Sequence, residues 1–263
     1  MAKCKVIAVS NQKGGVGKTS VTLNLGIGLA RNGYKVLMID NDYQANLTAS
    51  LGYTSPDELE YTLCEIIEDV VEEKEIGKKG ILTHSEGVDL VPSNITLATV
   101  ELKLIEVIGR ETLLRRYIDG IKSGYDYIII DCSPSLGMMT VNALTAADSV
   151  LIPVQAAYLP VKGLQDLIRT IGKVKRQLNP KLDFEGILIT MVNSRTNYAK
   201  EIIERLHEEY GEKIKVFNTF IPRSVKQEES SVVGKSIYKY ANSSKVAKAY
   251  KEVTDEICGK EVY

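Results

Sequence analysis

A glycine-rich segment between an apolar run and a helical pattern is the part of the sequence best suited to bind phosphate. It reads Asn11-Gln12-Lys13-Gly14-Gly15-Val16-Gly17-Lys18-Thr19-Ser20. Glycines let successive backbone N–H groups turn towards one anion, and the positive end of the following helix adds to their attraction. Lys18 would supply a point charge to the β- and γ-phosphates, and the Thr19 hydroxyl is placed to ligate Mg²⁺. The segment therefore predicts a phosphate-binding loop.

Aspartates follow two other apolar runs. Asp40 and Asp42 come after the run 35–39, and Asp131 comes after the run 127–130. The carboxyl ends of parallel strands share the sheet edge at which ligands bind, so we expect these carboxylates to face the same ligand as the loop. An aspartate after a strand is commonly only a helix cap. The nearby loop favours a functional role for Asp42 and Asp131 and leaves both readings open for Asp40.

The elements that must position these residues alternate along the chain. Apolar runs predict strands over 5–9, 35–39, 127–130, 150–154 and 186–190, and helical patterns cover 19–31, 138–147, 161–178 and 199–210. Thr62 and Glu65 have capping-box spacing and predict a helix through Val71. This alternation predicts an α/β fold, a doubly wound, mostly parallel sheet with helices on both faces. The glycine-rich loop between its first strand and first helix is typical of P-loop NTPases. No linker or repeat interrupts it, so we expect one domain over residues 1–263.

Composition excludes several classes of protein. With 33 basic and 34 acidic residues the formal charge is -1, so only a local patch could attract nucleic acid or anionic lipid. The four cysteines form no CxxC pair, which argues against a disulfide framework, a zinc site or an iron–sulfur cluster. No apolar run reaches the roughly 18 residues of a membrane span. We therefore expect a cytoplasmic protein.

Two segments carry a strong local charge. Residues 57–75 contain nine acidic residues and one lysine, which we interpret as a solvated helix face. Residues 223–251 contain seven basic and two acidic residues and form the only basic patch. A basic run is commonly a solvated face as well, so charge alone leaves nucleic-acid contact open.

The loop departs from the strict P-loop pattern, which requires glycine where this chain has Gln12. The box KGGVGKT, with Lys13 as an additional lysine, instead resembles the deviant Walker A box of the ParA/MinD superfamily of P-loop ATPases. The resemblance implies ATP and Mg²⁺ as cofactors and hydrolysis of ATP to ADP and phosphate. It also implies a homodimer that encloses two ATP molecules, in which Lys13 of each subunit reaches the phosphates held by the other.

The same resemblance assigns catalytic and metal-binding roles. The catalytic residues would be Lys13, Lys18 and Asp42, of which Asp42 orients or activates the attacking water. The metal would be held by Thr19, Asp40 and Asp131, with Asp131 acting through a water molecule as the Walker B aspartate. Tyr43 stands where the family usually has proline, which leaves the turn geometry after Asp42 open.

The nucleotide itself would be bound by three parts of the chain. By resemblance Asn193 would hydrogen-bond adenine, while Ile221, Pro222 and Arg223 would close the other side of the ring. The phosphates would lie against the loop residues, which are Gly14, Gly15, Val16, Gly17, Lys18, Thr19 and Ser20.

Residues 222–228 and 234–237 are similar to the C-terminal signature of ParA/Soj proteins, so the resemblance extends over nearly the whole chain. It implies an ATP-state dimer that binds DNA without sequence preference, associates with the nucleoid, and partitions a chromosome or plasmid with a ParB-type partner. The side chains implied to contact DNA are Arg195, Arg223, Lys226, Lys235, Lys245 and Lys248. Contacts to phosphates would make the affinity fall steeply with salt.

Two other classes of protein share such a loop. A MinD-like positioning ATPase would dock on a membrane through a C-terminal amphipathic helix, but residues 246–263 lack an apolar stripe opposite a basic face. A P-loop ligase or iron–sulfur reductase is the third possibility, and the cysteine spacing offers no cluster ligands. The sequence therefore favours a DNA partner and no membrane partner.

Overall fold

A central sheet organises the parts of the chain that the computed structural model describes, which are residues 4–156, 161–193 and 196–260. Its strands are β1 Lys5–Val9, β2 Val36–Asn41, β3 Leu82–Thr83, β4 Asp89–Val91, β5 Tyr127–Cys132, β6 Ser149–Gln155 and β7 Asp183–Thr190. Within the described ranges they form one seven-stranded sheet in the order β3-β4-β2-β5-β1-β6-β7. β3 and β4 pair antiparallel at one edge, and the remaining neighbours are parallel.

Helices cover both faces of this sheet. They are α1 Lys18–Arg31, α2 Asn46–Ser50, α3 Leu63–Val71, α4 Leu97–Lys103, α5 Leu113–Ile121, α6 Met138–Ala146, α7 Val161–Gln177, α8 Asn197–Tyr210, α9 Val225–Val232, α10 Ile237–Ala241 and α11 Lys245–Ile257. Buried side chains of α1, α2, α10 and α11 form the core on one face, and those of α3 to α8 form the core on the other. The predicted doubly wound architecture is confirmed.

The register of the central strands aligns the predicted site residues. Asp40 on β2 lies opposite Asp131 on β5, and Asp131 lies opposite Val9 at the end of β1. The loop that leaves β1 therefore begins beside both carboxylates. This is the common edge at which the sequence places ligand binding.

The sequence predicted some element boundaries and missed others. β1 has the predicted bounds, and the Thr62 capping box opens α3 as expected. β2 begins one residue later than predicted and continues to Asn41, because Asp40 and Asn41 pair with β5 instead of leaving the sheet. α8 begins at Asn197, two residues earlier than predicted, because the Thr196 side chain caps it. No helix in the described ranges combines the length and apolar character needed to span a bilayer.

Candidate functional site

Side-chain hydrogen bonds hold the two ends of the phosphate loop. The buried Asn11 amide donates to the carbonyl oxygen of Pro153 on β6 (2.7 Å), and its oxygen accepts from the Lys13 N–H (3.0 Å). Further along, the Thr190 hydroxyl at the end of β7 donates to the Val16 carbonyl oxygen (2.8 Å). Strands β6 and β7 therefore fix the loop between β1 and α1.

The loop curls around open space. Gly15 and Gly17 have φ values of 72° and 89°, in the left-handed region that glycine adopts without a Cβ penalty. A Cβ built at Gly14 or Gly15 would meet nothing within 4 Å. At the start of the loop the Gln12 side-chain nitrogen is buried and has no hydrogen-bond partner in the described part of the chain. An unpaired buried donor next to a glycine cradle fits an anionic guest.

The two lysines of the loop lie in different surroundings. Lys18 is buried, and its ammonium donates to the carbonyl oxygen of Lys13 (3.3 Å). Burial lowers the pKa of Lys18, and the nearby Asp131 carboxylate opposes this shift. The Lys13 side chain is exposed and forms no ion pair with any described residue. Lys18 therefore contacts its own loop, whereas the Lys13 side chain is available to contact another molecule.

Asp131 lies at the floor of the site. Asp131 is 1% exposed, and its carboxylate accepts from the Thr22 hydroxyl (3.2 Å). Burial, together with the adjacent Asp40, raises the pKa of Asp131 to about 8, although Thr19 and the Lys18 ammonium act in the opposite direction. A carboxylate and a hydroxyl are hard oxygen ligands of the kind Mg²⁺ prefers, so Asp131 and Thr19 remain the predicted metal ligands.

Asp40 is fully buried and bonded to the helix that follows it. One carboxylate oxygen accepts from the N–H (2.8 Å) and the hydroxyl (2.7 Å) of Thr48 on α2, and the other accepts from the Asp42 N–H (3.3 Å). Burial raises the pKa of Asp40 to about 7 although the Thr48 bonds act in the opposite direction. Its assignment to the metal stays a prediction, since its oxygens already accept three hydrogen bonds.

Asp42 stands at the start of a tight turn. Its carboxylate accepts from the Gln44 N–H (3.1 Å), and its carbonyl oxygen accepts from the Ala45 N–H (2.9 Å). Burial raises the pKa of Asp42, which the Gln44 N–H and the Lys18 ammonium oppose. Tyr43 is 37% exposed and takes part in neither bond. The turn therefore closes around Asp42 without the proline that is usual in the family.

A cavity of about 380 Å³ adjoins the loop at Gly17 and Ser20. Ile221, Pro222 and Arg223 line it, and their predicted contact with the base stays a prediction. The sequence did not indicate the other lining residues beyond the loop, which are Gln155, Thr190, Met191, Ser224, Gln227, Glu228, Ser231 and Tyr250. Asn193 is exposed on the adjacent loop and is not among the lining residues. Its predicted contact with adenine stays a prediction.

The predicted DNA-contacting residues lie on the C-terminal segments. Those that the structure describes are exposed and form no ion pair within the described ranges: Arg223, Lys226, Lys235, Lys245 and Lys248. Arg195 lies outside the described residues. Arg223 precedes α9 and Lys226 lies on it, and α9 also lines the cavity through Gln227, Glu228 and Ser231. One helix is therefore shared by the cavity and the basic surface.

No group of three or more acidic, histidine or cysteine side chains in the described ranges could enclose a metal ion without other ligands. Thr19 and Asp131 supply one hydroxyl and one carboxylate. Mg²⁺ commonly takes only one or two protein carboxylates and completes its shell with waters and substrate phosphates. The described residues therefore fit a metal that arrives with a phosphorylated ligand.

Comparisons with known proteins extend over nearly the whole chain. A family model described as AAA domain matches residues 4–184. The chain is 43% identical to the sporulation initiation inhibitor protein Soj of Bacillus subtilis, over 96% of this chain and 98% of Soj. It is 35% identical to the chromosome partitioning protein ParA of Caulobacter vibrioides, over 98% and 95% of the two chains. A crystal structure of cobyrinic acid a,c-diamide synthase from Mycobacterium smegmatis with ADP and magnesium is 34% identical, with a TM-score of 0.84 over 97% of this chain and 94% of that one.

Proposed function

The chain belongs to the ParA/Soj family of P-loop ATPases, and we propose that it is an ATP-dependent dimer that binds DNA without sequence preference and partitions a chromosome or plasmid. ATP hydrolysis, stimulated by a ParB-type partner, then separates the two subunits and releases the DNA. One observation carries the proposal: α9 borders the cavity beside the phosphate loop and also carries part of the exposed basic surface. A bound nucleotide and bound DNA would therefore touch the same helix. The molecule would act in the cytoplasm, on the nucleoid.

Triphosphate binding is supported by donors of three kinds around the loop. These are the curled backbone, the unpaired Gln12 amide and the buried Lys18 ammonium. Bound Mg²⁺ would neutralise phosphate charge, and Thr19 and Asp131 are the residues that would hold it. Solved structures of similar proteins contain ADP and magnesium, which agrees with this donor set.

Hydrolysis requires a group that orients water at the terminal phosphate. Asp42 has a suitable position, because the Gln44 N–H fixes one carboxylate oxygen. The other oxygen can accept a proton from water. Its raised pKa strengthens it as a base, since proton affinity increases with pKa.

Dimerisation would place the free Lys13 ammonium across the interface. A lysine without an ion pair on its own subunit can pair with phosphate on the other. The γ-phosphate would then hold the two subunits together, and its loss would loosen them. The dimer would also double the number of phosphate contacts to DNA, which strengthens binding through counterion release.

The last described helix supports DNA over lipid as the partner. The apolar side chains of α11, including Val246, Tyr250, Val253 and Ile257, are buried in the core formed with α1. Its exposed side carries Lys245, Lys248 and Lys251. A helix that docks on lipid needs its apolar face free.

The test follows assembly and DNA binding together. We expect Asp42→Ala, which blocks hydrolysis, to sediment as a dimer with ATP and Mg²⁺ and as a monomer with ADP. Adding Lys13→Ala should return it to a monomer and abolish ATP-dependent retention of DNA in a mobility shift. Lys181→Ala is the matched control, because Lys181 is exposed and precedes β7 at the opposite edge of the sheet.

A lone subunit at saturating ATP would contradict the proposal. Equal DNA retention with ADP, with ATP and without nucleotide would contradict the switch. If the protein pellets with anionic liposomes and does not bind DNA, the membrane-positioning alternative is favoured.

A further inference from the structure

A second cavity, of about 370 Å³, lies between α1, α10 and α11 and shares no lining residue with the cavity beside the phosphate loop. Its lining residues include Gly28, Arg31, Asn32, Tyr238, Lys248 and Lys251. At about 30 Å³ per water molecule this volume corresponds to about twelve waters. It can therefore hold a phosphate group with part of the sugar attached to it.

The floor of this cavity carries an unpaired hydroxyl. Tyr238 is 6% exposed, and its hydroxyl has no hydrogen-bond partner in the described part of the chain. The neighbouring Thr254 hydroxyl donates to the Tyr250 carbonyl oxygen (2.7 Å), so it offers no proton to the Tyr238 oxygen. A Cβ at Gly28 would lie 2.7 Å from the Tyr238 oxygen, so the glycine makes room for this hydroxyl. Burial raises the pKa of Tyr238 to about 12, which keeps its proton available to an acceptor at neutral pH.

The rim of the cavity is cationic. The Arg31 guanidinium lies over the Tyr238 ring, 5.2 Å from its centre. Arg31 and Lys248 are exposed and form no ion pair with any described residue. Lys251 pairs with Asp255 (2.8 Å), which also accepts from Asn32 (3.2 Å), so the nearest carboxylate is already engaged. Two uncompensated cations above a hydroxyl donor favour an oxyanion.

The cavity continues the basic surface that starts at the nucleotide. Lys248 also lines a neighbouring groove of about 450 Å³, together with Lys245 and Pro222. Pro222 in turn lines the cavity beside the phosphate loop, next to Arg223. Adjoining concave surfaces therefore connect Arg223 to Arg31, and a polyanion could follow them without leaving the protein.

From this continuity we infer that the α1/α10/α11 cavity is a phosphate site, in which Arg31, Lys248 and the Tyr238 hydroxyl hold one backbone phosphate of bound DNA. The inference rests on the proposed function, because it adds a defined contact to the proposed DNA surface. Arg31 lies outside the C-terminal basic segment, so the charge pattern of the sequence does not indicate it.

The experiment measures the affinity for a short DNA duplex by fluorescence anisotropy, with a non-hydrolysable ATP analogue over a series of salt concentrations. Arg31→Gln should weaken binding and reduce the slope of log affinity against log salt by about 0.9 per subunit, or about 1.8 for a dimer. Tyr238→Phe should weaken binding severalfold with the slope unchanged, because the hydroxyl carries no charge. Arg116→Gln is the matched control, since Arg116 is exposed on α5, across the sheet.

Different failures lead to different conclusions. If the unaltered protein binds DNA and Arg31→Gln keeps its affinity and slope, the phosphate site is wrong and the proposed function stands. If the unaltered protein does not bind DNA, both are wrong. Loss of inorganic phosphate binding without loss of DNA affinity would make the cavity a site for free anions and would overturn the inference. Lys248→Gln repeats the slope measurement if Arg31→Gln does not fold, and an unchanged slope would overturn it equally.

Discussion

Replacing Gly234 with alanine tests the contact between the end of α9 and the chain that follows α2. Gly234 has a φ of +64°, and a Cβ there would lie 2.6 Å from the Cα and 3.0 Å from the nitrogen of Gly52. Neither glycine has a side chain that could turn away, so the backbone itself must move. Gly52 lies two residues beyond α2, whose Thr48 bonds to Asp40. The displacement would therefore begin close to the proposed catalytic edge.

The expected loss of stability has two parts. Alanine in the left-handed region costs about 1 kcal/mol. Overpacking against fixed neighbours typically costs about 1–3 kcal/mol more. Gly234→Ala should therefore lower the free energy of unfolding by about 2–4 kcal/mol. Gly33→Ala isolates the first part, because Gly33 has a φ of +91° and a Cβ there would meet nothing within 4 Å.

Urea unfolding followed by far-ultraviolet circular dichroism measures both variants, since the chain contains no tryptophan. Gly234→Ala should also weaken ATP binding, because α9 lines the cavity beside the phosphate loop, whereas Gly33→Ala should not. Equal losses of stability in the two variants would refute the steric reasoning. It would mean that Gly52 and Gly234 separate without cost.

Two further predictions concern the buried carboxylates. Thr48→Val should lower the free energy of unfolding by about 3 kcal/mol, because Asp40 loses a hydroxyl donor and the Ser93 N–H loses its acceptor. Thr48→Ser keeps both bonds and should lower the free energy of unfolding by about 1 kcal/mol. Equal losses of stability in the two variants would contradict this explanation. The pKa of Asp131 is raised to about 8, so without nucleotide and metal its ionisation should destabilise the fold by up to about 1.4 kcal/mol per pH unit as pH rises from about 4 to about 8. Asp131→Asn lacks this titration, so the unfolding free energy of the unaltered protein minus that of the variant should decrease over this range, and a constant difference would show that Asp131 does not titrate there.

The sequence predicts most accurately where the physical cause is local. β1, the glycine loop and α1 follow from residues within one short segment, and the capping box of α3 is formed by Thr62 and Glu65 alone. The ends of β2 and β5 were predicted too short because they carry buried aspartates. Asp40 and Asp131 remain in the sheet because Thr48 and Thr22 satisfy them, and those partners come from other elements.

The site was predicted only in part for the same reason. Pro222 and Arg223, which the sequence assigns to the base, line the cavity, and their contact with a base stays a prediction. Gln155 and Gln227 reach the cavity from β6 and α9, and no local pattern indicates this. The sequence analysis did not predict α9 and α10, because both helices are short and α9 exposes apolar side chains such as Val225 and Val232. Tertiary packing decides such segments, and periodicity alone cannot.

Asp40 links the proposed catalytic edge to the proposed DNA surface. Its carboxylate holds α2 through Thr48 on one side and the Asp42 N–H on the other. The chain after α2 packs through Gly52 against Gly234, at the end of α9. A change in position at Asp42 would therefore reach α9 through hydrogen bonds of 2.7–3.3 Å and a contact between two backbones, and close packing leaves little space to absorb the movement. On this path Asp40 matters through the helix it positions, whether or not it also contacts a metal.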